Sequence, residues 1–272
     1  MDVLGINSEA TNKALRRLVA IEKEIDISAE IQASLLPGDS FRSKNVSLYA
    51  YIKPAARVSG DFYDFFLLDK YRLAVLIADV SGKNVSASLL ASMTKGLFRA
   101  YAKIYIDPAV CVGKVNDCLI ETNKSLMFVT SVFGVMDIRS GVFEYVNAGH
   151  LLPILINDRK TESLDQGEAD LALGIDKEIN FTKNKIAFNG FDKILLYTDG
   201  VTEAMNARNT EFGADNLLEV CSSKRLLRPK ALTRLVVKAL GSFVGNADQS
   251  DDITVICLQY KKGRENDKND KD

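Results

Sequence analysis

The sequence has one histidine, His150, and no tryptophan among 272 residues. Chemistry built on a Ser–His or Cys–His pair, or on several histidine metal ligands, is thereby nearly excluded. An enzyme made from this chain must work with carboxylates, water and oxygen-ligated metals. Four cysteines, Cys111, Cys118, Cys221 and Cys257, stand apart with no C-x-x-C pair. That argues against a structural zinc site and for reduced thiols, so a cytoplasmic location is expected. A formal net charge of −1 provides no bulk basic face for nucleic acid or membrane. No apolar run is long enough to span a bilayer, and the amino terminus lacks the apolar region of a signal peptide.

What is present begins with "NKALRRLVAIEKEIDISAEIQASLLP", where Leu15, Leu18, Ile21 and Ile25 lie on one helical stripe. The stripe slips to Ile27, Ile31 and Leu35, and Pro37 ends it. Such a helix either packs on its own domain or serves as a dimerising, signal-transmitting element. Strand-like runs follow at "VSLYAYI", "FYDFFLL" and "YRLAVLIAD", with Asp69 and Lys70 as a tight turn between the last two. Helices are expected from about 86 to 102 and from 108 to 126, the second capped by Asp107 with Pro108 at its first position. Strands resume at "FVTSVFGVMDI", "GVFEYVNA" and "LLPILIN", then at 180–188, 193–198 and "ITVICLQY". Helices near 214–222 and 229–243 separate the last two. Hairpin-linked strands and helices in blocks predict an α+β fold, two mainly antiparallel sheets flanked by helices. The expected organisation is a helical segment over 1–37, one domain over 38–260 and a disordered charged tail over 261–272.

A carboxylate recurs at strand ends. Asp61 follows a glycine in "SGDFYD", and Asp79 closes the apolar run in "LIADVSG". Asp199 stands in "YTDG", and Asp251 and Asp252 precede the last strand in "QSDDITV". Small neighbours let backbone approach a ligand closely at each place. Asp61 and Asp79 flank one hairpin, so they should be neighbours. One reading is a set of unrelated turn and capping aspartates. The other is convergence, in which mutual repulsion raises the pKa values until divalent cations relieve it. All-oxygen ligation suits Mg²⁺ or Mn²⁺, and a two-metal centre would activate water for in-line displacement at phosphorus.

The series "IQASLLP", "SGDFYD", "ADVSGK", "ASLLASM", "FVTSVFGVMD", "YVNAGHLLPILI", "LALGI", "LLYTDGVTEAMN", "EFGADNL" and "DDITVICL" runs in order through residues 28 to 260. In this order it resembles the metal-dependent serine/threonine protein phosphatases (the PPM family), specifically their bacterial SpoIIE/RsbU-type branch. The resemblance implies an α-β-β-α sandwich that binds two Mn²⁺ or Mg²⁺ ions and hydrolyses phosphoserine or phosphothreonine on a protein. It implies that Asp79 bridges both ions with the Val80 carbonyl as a further ligand, that Asp61 serves one ion, and that Asp199 and Asp251 hold the other. Asp252 would stand behind the ligands. The implied substrate is a phosphorylated STAS-type anti-sigma-factor antagonist in a partner-switching pathway, and "EIQASLLP" resembles the helix that carries regulatory input, often in a homodimer.

The chain departs from the family pattern at Gly82-Lys83-Asn84, where a glycine is usual at the third place. Asn tolerates a left-handed backbone, so the loop is expected to survive. Reduced turnover there would make the chain a pseudophosphatase, a binding module of the same fold. Arg57, four residues before Asp61, is either a clamp for the substrate phosphate or a surface arginine. His150 in "NAGH" is expected to hold a turn rather than to catalyse. Lys83 either attracts phosphate or is merely solvated.

Overall fold

The computed structural model describes residues 8–124, 126–164, 170–190 and 192–261. The expected charged tail lies, beyond Lys261, outside the described residues. In chain order the elements are α1 (Ser8–Leu35), β1 (Ser40–Arg42), β2 (Val46–Lys53), β3 (Phe62–Leu67), β4 (Arg72–Val80), α2 (Asn84–Ile104) and α3 (Pro108–Thr122). They continue with β5 (Val129–Asp137), β6 (Val142–Ala148), β7 (Ile154–Ile156), β8 (Thr161–Ser163), β9 (Asn184–Ala187) and β10 (Lys193–Tyr197). The short α4 (Asp199–Thr202), then α5 (Gly213–Ser223), α6 (Pro229–Val244) and β11 (Ile253–Tyr260) complete the order.

Two sheets result, one ordered β1-β2-β11-β10-β7-β8 and the other β3-β4-β5-β6-β9, with antiparallel pairing throughout. Period-two alternation explains the layers. From β4, Leu73, Val75 and Ile77 enter the core between the sheets, while Ala74, Leu76, Ala78 and Val80 face Phe98 and Val115 of α2 and α3. From β11, Ile256 and Leu258 enter the same inter-sheet core, while Val255 and Cys257 face Leu217 and Val236 of α5 and α6. Both faces of these central strands are buried, so their sequences read as unbroken apolar runs. Three apolar layers make the expected α-β-β-α sandwich.

Local chemistry explains several boundaries. Asp107 caps α3 as expected, its carboxylate accepting from the Ala109 and Val110 N–H groups behind Pro108. That helix stops at Thr122 rather than 126. The expected two-residue turn at Asp69-Lys70 is instead a wider loop over 68–71. The Asp69 carboxylate accepts from the Tyr71 N–H (2.8 Å) and the Arg72 N–H (2.9 Å), and this local bonding replaces the tighter turn. The strand expected over 180–188 is confined to Asn184–Ala187.

The stripe on α1 is not buried against the domain. Leu15, Leu18, Ile21, Ile27 and Ile31 are all more than half exposed. Polar contacts fasten the other side. The Gln32 side chain donates to the Ser59 carbonyl (2.7 Å) and accepts from the Ser59 N–H (2.9 Å), and Asp26 pairs with Arg57.

Candidate metal centre

The candidate carboxylates reach one end of the sandwich from both sheets. Asp61 immediately precedes β3 and Asp79 lies one residue from the end of β4, and the Phe62–Ala78 pairing places the two side by side. Each carboxyl acts on the other's titration, as expected of neighbours on one hairpin. Asp199 opens α4 directly after β10, and Asp251 and Asp252 lead into β11, which pairs with β10.

Electrostatics show the crowding. Burial and then the charges of Asp199 and Asp251 push the Asp79 carboxyl up to about 7. Asp61, 2 % exposed, is raised well above the usual carboxylate range by burial and by Asp79. Part of that rise is offset by the hydroxyls of Thr198 (2.7 Å) and Thr254 (2.6 Å), both donating to Asp61 Oδ2. Burial and then Asp251 raise Asp199, against the lowering effects of the Gly200 N–H and Lys83. Lys83 is not merely solvated: its ammonium pairs with Asp251 (3.0 Å) and donates to the Ser250 carbonyl (3.0 Å).

Asp252 is occupied otherwise. Its carboxylate accepts from the Ala55 N–H (2.7 Å), the Ser59 hydroxyl (2.7 Å) and the Gly60 N–H (2.8 Å), pinning the 55–60 loop against the start of β11. That loop delivers Asp61. Arg57 sits on it with its guanidinium paired to Asp26. The Asn84 backbone is left-handed, φ 68°, as the sequence led one to expect.

The donor set fits a hard dication: carboxylates with the Val80 carbonyl nearby, no thiol, and a repulsion that positive charge would relieve. Among the described residues, however, no three His, Cys, Asp or Glu side chains already stand grouped closely enough to hold one ion. Direct contact joins Asp251 to Lys83, and Asp79 lies within the field of Asp199 and Asp251.

His150 is buried and neutral, its pKa lowered to about 4 by burial. Its Nε2 donates to the Tyr197 carbonyl (3.1 Å), leaving Nδ1 to accept from the Thr130 hydroxyl (2.9 Å). The Asn147 side chain closes the turn through the His150 N–H (2.7 Å) and carbonyl (3.0 Å). The turn-holding role is as expected, and the ring adds a brace between the sheets. Sequence reasoning did not find Thr198, Thr254 or Gln32. Their only signal was a lone polar group inside an apolar strand or next to a helix end.

Gly200 answers why a glycine follows Asp199. A Cβ there would lie 1.9 Å from the Asp252 carbonyl oxygen, a backbone atom. Gly200→Ala must therefore push α4 away from the 251–252 segment. The expected cost is about 1–3 kcal/mol of stability or more, with weakened Mn²⁺ affinity, read by thermal melting and calorimetry. An unchanged melting temperature would show that the contact yields easily.

Residues 69–261 match the family model described as Stage II sporulation protein E (SpoIIE). Among curated proteins, the chain is 28% identical over 262 residues to Protein IcfG of Synechocystis sp. (strain ATCC 27184 / PCC 6803 / Kazusa), covering 86% of this chain and 41% of that protein. It is 29% identical over 183 residues to the phosphoserine phosphatase RsbU of Bacillus subtilis (strain 168), covering 67% of this chain and 54% of that one. The chain thus spans about half the length of the curated relatives it matches. Among solved structures, the SiaA-PP2C domain of Pseudomonas aeruginosa superposes with a TM-score of 0.77 at 17% identity, over 90% of this chain and 99% of that one. The RsbU and RsbW domains of Rv1364c from Mycobacterium tuberculosis give 0.70 at 24% identity, over 84% and 62%. These likenesses establish the fold.

Proposed function

The chain belongs to the SpoIIE family, within the SpoIIE/RsbU branch of the metal-dependent protein phosphatases, and on that premise we propose that it hydrolyses phosphoserine or phosphothreonine on a signalling protein. The observation that carries this reading is the placement of Asp61 and Asp79 beside one another on the β3–β4 hairpin and of Asp199 and Asp251 at the adjoining ends of β10 and β11, with burial and mutual repulsion raising Asp61, Asp79 and Asp199. Mn²⁺ or Mg²⁺, two ions in this reading, supplies when bound a water of lowered pKa and a clamp for in-line displacement at phosphorus. Asp79 with the Val80 carbonyl and Asp61 would hold it on one side, and Asp199 and Asp251 on the other. Asp252 keeps the Asp61 loop in place, and the Thr198 and Thr254 hydroxyls orient Asp61. Arg57 would hold the substrate phosphate after leaving Asp26, an exposed pair worth only about 0–1 kcal/mol.

The substrate we propose is a phosphorylated STAS-type anti-sigma-factor antagonist, the substrate that the resemblance to the SpoIIE/RsbU-type branch implies; the relative RsbU, a phosphoserine phosphatase, supports the phosphoserine part of that reading. The exposed apolar stripe of α1 supports its pairing with a second copy. Asn84, the sequence hint for a module without turnover, keeps the left-handed backbone and so does not favour that rival.

The test uses purified protein and a STAS-domain protein phosphorylated on serine. Inorganic phosphate is expected in the presence of Mn²⁺ and not in excess chelator. Undiminished release in chelator would remove the metal-dependent mechanism, and no release with Mn²⁺ bound would favour the binding module.

A further inference from the structure

A cleft of about 220 Å³ opens beside the candidate metal centre. One wall is α6, where Val237, Leu240, Gly241 and Val244 fall at helical spacing on one stripe. Ala204 and Met205, just after α4, form the other. Gly241 has no atom within 4 Å of where a Cβ would stand, so the helix leaves its part of the cleft open. Gly200 and Ser250 also line the cleft, and each is one residue from a candidate metal ligand. The loop on that side is tied to the centre. Gln249 Nε2 donates both to the Lys53 carbonyl (2.9 Å) and to the Asp251 carbonyl (2.8 Å).

Resting on the phosphatase reading above, we propose that this cleft is a specificity site for a large aliphatic side chain next to the phosphoserine of the substrate. Its volume suits a side chain and not a helix or strand, and its lining is continuous with the segments that carry Asp199 and Asp251. The lining is mixed, Lys53, Asp248, Gln249 and Ser250 standing opposite the apolar stripe of α6, and the work divides accordingly: the carboxylate end handles the phosphate, and the apolar stripe reads its neighbour. Burying an extra aliphatic group in such a cleft discriminates by roughly tenfold to two-hundredfold.

The experiment compares two short phosphoserine peptides, one with leucine and one with alanine on both sides of the phosphoserine, and p-nitrophenyl phosphate as a substrate with no flanking residue. The wild-type chain is expected to favour the leucine peptide about tenfold in kcat/KM, through KM. Gly241→Leu fills the cleft from an exposed helix position, where glycine is a poor helix former. It should abolish that preference without changing p-nitrophenyl phosphate turnover, and Gly241→Ala should retain most of it. Fluorescence anisotropy of the labelled leucine peptide reads the same affinity loss with no turnover needed. Peptide binding that Gly241→Leu weakens, with hydrolysis absent, supports the cleft and sinks only the phosphatase reading. Equal handling of the two peptides by the wild type, or a leucine preference that survives Gly241→Leu, overturns the proposal.

Discussion

Replacing Asp79 by asparagine is expected to lower phosphate release by on the order of 10³-fold or more, about 4 kcal/mol of transition-state stabilisation. The same change should make the chelator-treated protein more stable, not less. Asp79 holds its proton up to about pH 7 in the folded chain, against a value of 3.8 when unperturbed. Between those values the folded state binds more protons than the unfolded one, so stability present near pH 4 is lost as pH rises through 7. Asp61, also raised, acts in the same direction. In chelator, the melting temperature should therefore be higher at about pH 5 than at about pH 8. Asp79→Asn should shrink that difference by removing one of the repelling charges. Mn²⁺ should reverse the trend for the wild type, since metal binding needs deprotonated carboxylates, and should do little for the variant. Turnover near the wild-type level in Asp79→Asn, with an unchanged response to Mn²⁺, would exclude this carboxylate from the chemistry.

Asp64→Ala should produce the largest loss of stability from a residue outside the centre. Asp64 is fully buried and accepts from Arg99 Nε (2.5 Å), Arg99 Nη2 (2.8 Å) and the Lys95 ammonium (3.0 Å). Lys95 is itself only 7% exposed, and alanine would leave its charge buried without a partner. Breaking such a pair from one side costs about 3–5 kcal/mol. For a domain of this size that corresponds to a fall of roughly 6–20 °C in melting temperature. The double variant Asp64→Leu with Lys95→Met should recover much of the loss, since apolar replacement of a buried ion pair is often neutral. A single variant that melts with the wild type would mean that water reaches Lys95.

The layered architecture could be read from the sequence because its causes are local. The unbroken apolar runs of β4 and β11, the Asp107-Pro108 start of α3 and the hairpin between Asp61 and Asp79 are all written in short stretches. The three-residue strands β1 and β8 escaped notice because so few residues carry no period. What could not be read was long-range polar bonding. Asp64 stands three residues after Asp61 in one motif, yet its partners are on α2 and its task is to neutralise the buried Lys95 and the half-exposed Arg99. Asp251 and Asp252 are adjacent and look alike. The resemblance placed Asp252 behind the ligands, and the partners that hold each appear only in the fold, the 55–60 loop for Asp252 and Lys83 for Asp251. The exposure of the α1 stripe was likewise undecidable, since amphipathic spacing looks the same whether a helix covers its own domain or another surface.

The position of β11 has a consequence for biosynthesis. It is the last strand of the described chain, yet it lies between β2 and β10 in the middle of its sheet. While the polypeptide emerges from a ribosome, β2 can pair with β1 and β10 with β7, but neither can complete its second ladder until residue 260 has been made. Sequence-distant pairing of this kind slows folding and leaves two strand edges open meanwhile. Asp251 and Asp252 arrive with the same segment, so a chain interrupted before it would own neither a closed sheet nor a complete set of carboxylates.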